Sequence, residues 1–308
     1  MMMRVFEALG CEVIDEPFYA YWLNATQRVD DPGYAATLAH HETDWRRVAE
    51  MVITAGRSAH ARSYQKHMAI HMLAEVDLGF MTELQNCFLI RHPAEVIASM
   101  TAFRSLTPKT TADVAAAAYL VGIPQLKRIF DEATRIQGGI PTVVDANDVL
   151  QRPSAVLAEF CQSVGLPFDP SAPIQWAPGK HPNDGAWADE WYQSVFATEG
   201  LQPYQARPSR IPDALEPVLE YCLPSYERIA QHKIKGFSLR ATLETSPFGT
   251  MSMAALSPSM NLHCLCLTLG FFTASRCGAR RDSSTIEYSS SKRTLRKSGI
   301  PPPSTIFR

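Results

Sequence analysis

Four short runs of apolar and β-branched residues punctuate the first half of the chain: Cys11–Ile14, Ala61–Gln65, Cys87–Ile90 and Thr142–Val144. They are strand-length, with little polar alternation, as expected of strands buried on both faces of a parallel sheet. Between them, apolar positions recur at helical spacing. Asp44–Ile53 is amphipathic, and Pro93–Phe103 opens on a proline, whose missing N–H costs nothing in a first turn. Asp113–Ile136 is long, with Pro124 placed to break or kink it, and Ser154–Val164 follows Pro153. From Pro167 to Pro212 the pattern loosens to loops with one helix over Ala188–Phe196, and Pro212–His232 forms a last helical region interrupted near Pro224. Strands alternating with helices predict an α/β domain over Met1–Lys235, an open, mostly parallel sheet flanked by helices.

Residues 236–308 differ in kind. The stretch from Phe237 holds 9 Lys/Arg and 3 Asp/Glu, against 20 and 28 before it, so a net +6 follows a net −8. It is rich in Ser, lacks a clear period, and ends in a basic run and a proline triplet, a composition that predicts disorder. Its most apolar run, Leu262–Phe272, is about half the length needed to span a bilayer. Seven cysteines without a CxxC spacing suggest free thiols of a reducing compartment and no metal site. Glu7 and Glu12 stand where a secretory signal needs an apolar stretch. With an overall charge of −2, the expectation is a soluble cytoplasmic protein without nucleic-acid or membrane partners.

Ligands of an open parallel sheet bind beyond the carboxyl ends of its strands. Asp15 and Glu16 follow the first predicted strand, Lys66 and His67 the second, Arg91 and His92 the third, and Asp145 the fourth. Four charged strand ends point to one polar site, and its cations suit a phosphate-bearing ligand. Arg91 offers a planar fork to phosphate oxygens. Ser99 lies two turns into the helix that follows. The alternative for Arg91 is a structural ion pair with Asp145 or Glu16.

The segment FLIRHPAEVIASM resembles the 3′-phosphate-binding segment of sulfotransferases. VIDEPFYAYWL, SYQKHMAIHM, PTVVDANDVLQRPSAVLAEFCQSVGLPFDP and GKHPNDGAWADEWYQSV extend the resemblance, in the same order, to a sulfotransferase-like branch of the P-loop nucleotide fold. Some members of that branch carry an aminotransferase-like label, but nothing in this chain resembles a pyridoxal-phosphate lysine site. The resemblance implies that Arg91 and Ser99 hold the 3′-phosphate of 3′-phosphoadenosine 5′-phosphosulfate (PAPS). It also implies that Lys180, Gly185 and Trp187 belong to a late loop closing over the nucleotide, with Trp187 either stacking on adenine or packing the loop. No metal is required.

The resemblance further implies a first strand and a 5′-phosphosulfate loop ahead of a helix. Here MMMRVFEALG reads as the end of that helix, and no GxxxxGK[ST] is present. The expectation is a sheet incomplete at the N-terminus, with unpaired central edges and poor activity. Glu16 leads as general base, its proximity to Asp15 raising one of the two pKa values. The alternative for Glu16 is a carboxylate that serves the Pro17 turn. His67 and His71 are the other candidate bases. Lys66 either stabilises the leaving phosphate or pairs with Glu16. The implied function is sulfuryl transfer to a hydroxyl-bearing small molecule. A non-catalytic nucleotide- or partner-binding relative, or an unstable fragment, is the alternative. Neither the acceptor nor the oligomeric state can be read from the sequence.

Overall fold

The computed structural model describes residues 1–56, 62–101, 106, 108–206 and 210–236, and the backbone of 263–268. In chain order the elements are α1 (Met2–Ala8), β1 (Glu12–Asp15), α2 (Tyr19–Thr26), α3 (Tyr34–His40), α4 (Trp45–Gly56), β2 (Ser63–Met68), β3 (Gln85–Ile90), α5 (Pro93–Met100), α6 (Thr111–Val121), α7 (Ile123–Gln137), β4 (Thr142–Asp145), α8 (Ala146–Gln151), α9 (Pro153–Ser163), α10 (Ala188–Trp191), α11 (Gln193–Phe196), α12 (Glu216–Ala230) and β5 (His263–Thr268). Short 3-10 turns span Ala69–His71, Leu78–Glu83 and Asp213–Leu215.

The sheet is parallel throughout its described ladders, in the order β1-β2-β5-β3-β4. Both faces are buried, as the apolar runs require. In β3, Phe88 and Ile90 join the core beneath α4–α7 and α12, while Cys87 and Leu89 join the core beneath α1, α8 and α9. Val143 and Val144 of β4 divide the same way. Two helical layers therefore clamp the sheet.

The predicted long helix over Asp113–Ile136 is two helices. Gly122 sits at φ 86°, a left-handed conformation that glycine adopts without a Cβ clash, and Pro124 then falls in the first turn of α7. At Pro224 the reverse holds. The proline removes one helical N–H, yet α12 runs through it, with Val218, Cys222 and Ile229 buried.

The largest departure from the sequence reading lies in the C-terminal segment. His263–Thr268, assigned above to a tail without secondary structure, forms the central strand β5. It pairs in register with Ser63–Met68 of β2 and with Gln85–Leu89 of β3. The expected gap in the middle of the sheet is thus filled by His263–Thr268. The physical reason is the two rows of backbone N–H and C=O groups that β2 and β3 would otherwise leave unpaired between helical layers. The expected disorder of the remaining tail falls outside the described residues. No helix among the described residues is long and apolar enough to cross a membrane.

Ending the chain at Gly236 removes both central ladders. The shortened chain is expected to lose the cooperative thermal transition of the full chain, followed by far-ultraviolet circular dichroism. Equal melting of the two would contradict a structural role for β5.

Candidate functional site

Parallel strands present all their carboxyl ends at one edge, and the structure gathers two charged groups there. One lies beyond β1 and β2, the other beyond β3 and β4. In strand order, β5 separates them.

The first group is built on Lys66. Its ammonium bonds the Glu16 carboxylate (Oε1) and lies 3.3 Å from Asp15 Oδ1 and 2.6 Å from the Tyr192 hydroxyl. Tyr192 Oη is also 2.9 Å from Asp15 Oδ1 and 3.0 Å from Glu16 Oε1. Burial alone would pull the Lys66 ammonium down, but Asp15 and Glu16 outweigh it and hold its pKa above the ordinary value. Asp15 is the carboxylate whose pKa is raised, by burial first; Lys66 opposes that shift, Glu16 adds to it, and the hydrogen bonds from Tyr192 and Lys66 oppose it. Burial and the two carboxylates push the Tyr192 phenol well above 10, so it stays neutral.

Glu16 carries backbone strain. Its φ is 40°, a left-handed conformation, and it precedes Pro17, which disfavours helical conformations for the residue before it. The strain is held by Glu16 N–H donating to Lys66 C=O at 2.8 Å and Tyr19 N–H donating to Glu16 C=O at 2.9 Å. Non-glycine residues held this way cluster at functional sites. Glu16 thus holds the turn through its backbone N–H and C=O, while its carboxylate pairs with Lys66.

His67 is not brought into this group. Lys66 and His67 both lie inside β2, which runs on to Met68, so their side chains point to opposite faces. His67 Nε2 meets Gln65 Oε1 at 3.2 Å, and its ring packs 5.7 Å from that of Phe18. Burial, helped by the nearby His71, lowers its pKa to about 3, so it is neutral near pH 7. The histidine beside Glu16 is His71, its Nδ1 3.8 Å from Glu16 Oε2 and its ring stacked on Tyr19 at 4.6 Å.

The second group holds Arg91. Its Nε donates to Glu95 Oε2 at 2.7 Å, one helical turn on, and Glu95 Oε1 accepts from Asn147 at 2.7 Å. The ion pair expected with Asp145 or Glu16 is thus made with Glu95 instead, because α5 starts directly after the strand and brings position i+4 back over it. Asp145 caps α8 by accepting from the Asn147 N–H at 2.8 Å, and Lys233 closes on Asp148 at 2.8 Å. Ser99 lies in the same helix, two turns beyond Arg91.

The late loop is anchored to α1. Arg4, almost wholly buried, donates to Asp184 at 2.6 Å and to Gly179 C=O at 3.3 Å, and His181 meets Glu7 at 2.6 Å. Lys180 pairs with Asp189 at 2.6 Å on the surface. Gly185 approaches Trp187 so closely that a Cβ there would lie 2.2 Å from the indole, and its N–H points at Asp15 Oδ2, 3.5 Å away. Trp187 is buried in a cluster with Tyr19, Trp22, Leu23, Met68 and Ile70. Its ring meets Tyr19 edge-on at 5.0 Å and His41 at 4.9 Å. The indole thus packs the late loop against α2 and the end of β2.

The sequence reading missed Tyr192 and left Asp15 as a neighbour rather than a member of the site. Tyr192 stands inside the quoted segment GKHPNDGAWADEWYQSV, beside Trp191, but nothing local shows that it returns to a strand end over 120 residues away. Among the described residues no group of His, Cys, Asp and Glu is arranged to hold a metal ion.

Comparison with known proteins decides the family. The sulfotransferase-domain family model matches residues 1–232. The chain belongs to the sulfotransferase family. Two Arabidopsis thaliana proteins, named branched-chain-amino-acid aminotransferase-like protein 2 and protein 1, are similar to it. They are 30% identical over 233 residues and 29% over 232, which is 75% of this chain and 39% of each relative. The chain thus spans about two-fifths of the length of these relatives. No solved structure matches it.

The buried His67 sets a pH dependence of stability. Its folded pKa of about 3 lies below the ordinary 6.5, so the unfolded chain binds this proton first. Stability is full above pH 6.5 and falls as pH drops towards 3, by about 1.4 kcal/mol per pH unit at most. Urea unfolding at pH 7 and pH 5 should show that loss, and His67→Gln should flatten it.

Proposed function

We propose that this sulfotransferase-family chain transfers a sulfuryl group from PAPS to the hydroxyl of a small-molecule acceptor. The observation that carries the proposal is the placement of two cations, Lys66 and Arg91, at one edge of the sheet on either side of β5. Both would exchange an internal carboxylate for ligand oxygens, which suits a nucleotide with two separated anionic groups.

PAPS supplies the activated sulfuryl group: the acceptor oxygen gains the bond to sulfur, and the 5′-phosphate oxygen keeps the electron pair of the bond that breaks. Glu16 takes the acceptor proton, its carboxylate fixed by the strained turn before Pro17. Lys66, held charged by Asp15 and Glu16, stabilises the charge that grows on the leaving phosphate. Arg91 and Ser99 hold the 3′-phosphate, with the Arg91 fork turning from Glu95. Lys180, Gly185 and Trp187 shape the loop over the nucleotide. His67, facing away, packs the core.

One observation favours a second reading, a nucleotide-binding relative without turnover. Lys66 and Arg91 are each already neutralised by carboxylates of this chain.

Calorimetric titration of the full chain with adenosine 3′,5′-bisphosphate tests both. Saturable binding is expected, weakened by Arg91→Ala about 10- to 100-fold, the cost of a charge-assisted contact. With PAPS and a panel of hydroxyl acceptors, Glu16→Gln should lower kcat by about 100-fold or more while leaving bisphosphate binding in place. Binding without turnover supports the second reading, and a folded chain with no binding overturns both.

A further inference from the structure

Tyr192 has no role in the scheme above, yet its hydroxyl touches Lys66, Asp15 and Glu16 at once. It also lies 3.4 Å from Trp187 Nε1, so this oxygen ties the late loop to the strand edge. A neutral phenol has a single proton. Tyr192 accepts from Lys66 and can donate to one carboxylate at a time. Asp15, the more deeply buried of the two carboxylate side chains and at the shorter distance, is the acceptor that most needs it.

We infer that Tyr192 is a positioning residue that divides labour between the two carboxylates: by donating to Asp15 it keeps Asp15 ionised as the lasting counter-ion of Lys66, and so leaves the Glu16 carboxylate to accept the substrate proton. The catalytic part of this inference rests on the sulfotransferase reading; the hold on Asp15 does not. Three features support it. Lys66 Nζ lies 2.6 Å from the Tyr192 hydroxyl, so the phenol fixes the ammonium beside the carboxylate it donates to. The Gly185 N–H faces the other Asp15 oxygen at 3.5 Å, which makes Asp15 the carboxylate that the late loop surrounds. Glu16, whose Oε1 also rests on Lys66, has its second oxygen outside the late loop, 3.8 Å from His71 Nδ1.

The other charges acting on this pair are known. Asp15 also senses His41 and the amino group of Met1, and Glu16 senses Tyr19 beside His71. Arg4 and Asp184 lie one shell further out, paired with each other.

The test is carbon-13 NMR titration of the aspartate and glutamate carboxyls in the full chain, with Asp15 assigned by Asp15→Asn. Tyr192→Phe keeps the ring beside Lys66 and removes the donor. The Asp15 midpoint should rise by about one pH unit, the equivalent of one lost hydrogen bond. An unchanged midpoint overturns the inference. Should Tyr192→Phe unfold the chain, 3-fluorotyrosine installed at position 192 keeps the packing and strengthens the donor. It should move the same midpoint down, and no movement or a rise overturns the inference. Where PAPS turnover is measurable, Tyr192→Phe should shift the acid limb of the kcat profile and lower kcat, leaving the KM for PAPS within about twofold. A uniform loss of rate with an unmoved pH profile would mark a merely structural contact. A shifted Asp15 midpoint in a chain with no turnover would uphold the hold on Asp15 and sink the sulfotransferase reading separately.

Discussion

A largely desolvated ammonium, its side chain 18% exposed, lies between two carboxylates and organises this end of the sheet. Removing Lys66 from water is expensive, and only Asp15 and Glu16 at close range make it tolerable. That requirement fixes much else. Asp15 and Glu16 must end their strand level with Lys66, which the register Asp15↔Lys66 between β1 and β2 provides. Glu16 must turn back over the strand end, which costs it an ordinary backbone conformation. The charge left over on the carboxylates calls for a further donor, and the late loop supplies Tyr192. Breaking such a group by removing one member leaves uncompensated buried charge, typically about 3–5 kcal/mol.

The same logic extends along the sheet edge. Arg91 is held by Glu95 and Glu95 by Asn147, so a second cation is kept oriented at the end of β3. Both cations rest on internal carboxylates. Under the proposed function, a ligand would have to offer oxygens in both places to displace them.

Much of the fold was legible because its signals are local. The strands at Cys87–Ile90 and Thr142–Val144, the helix starts at Pro93 and Pro153, and the division at Gly122–Pro124 follow from apolar runs and backbone chemistry. The C-terminal strand was not legible, because a six-residue segment with no neighbouring helix pattern becomes a strand only when two unpaired edges await it. In the candidate site, Glu16, Lys66 and Arg91 stand out in sequence by their places at or near strand ends. The orientation of His67 could not be read, because β2 runs three residues past the expected end at Gln65, to Met68, and sets its ring on the face opposite Lys66. Tyr192 was beyond reach since its contacts are wholly tertiary.

If Lys66, resting between Asp15, Glu16 and Tyr192, is the cation that meets the ligand's 5′-phosphate, its ammonium must sense the ligand's arrival. It can be watched directly by nitrogen-15 NMR of lysine-labelled full chain during titration with adenosine 3′,5′-bisphosphate. The Lys66 resonance, assigned by Lys66→Met, is expected to shift saturably and to track the binding isotherm. A ligand that binds while the Lys66 resonance stays where it is would exclude that role, and the ion pair would then be a structural feature alone.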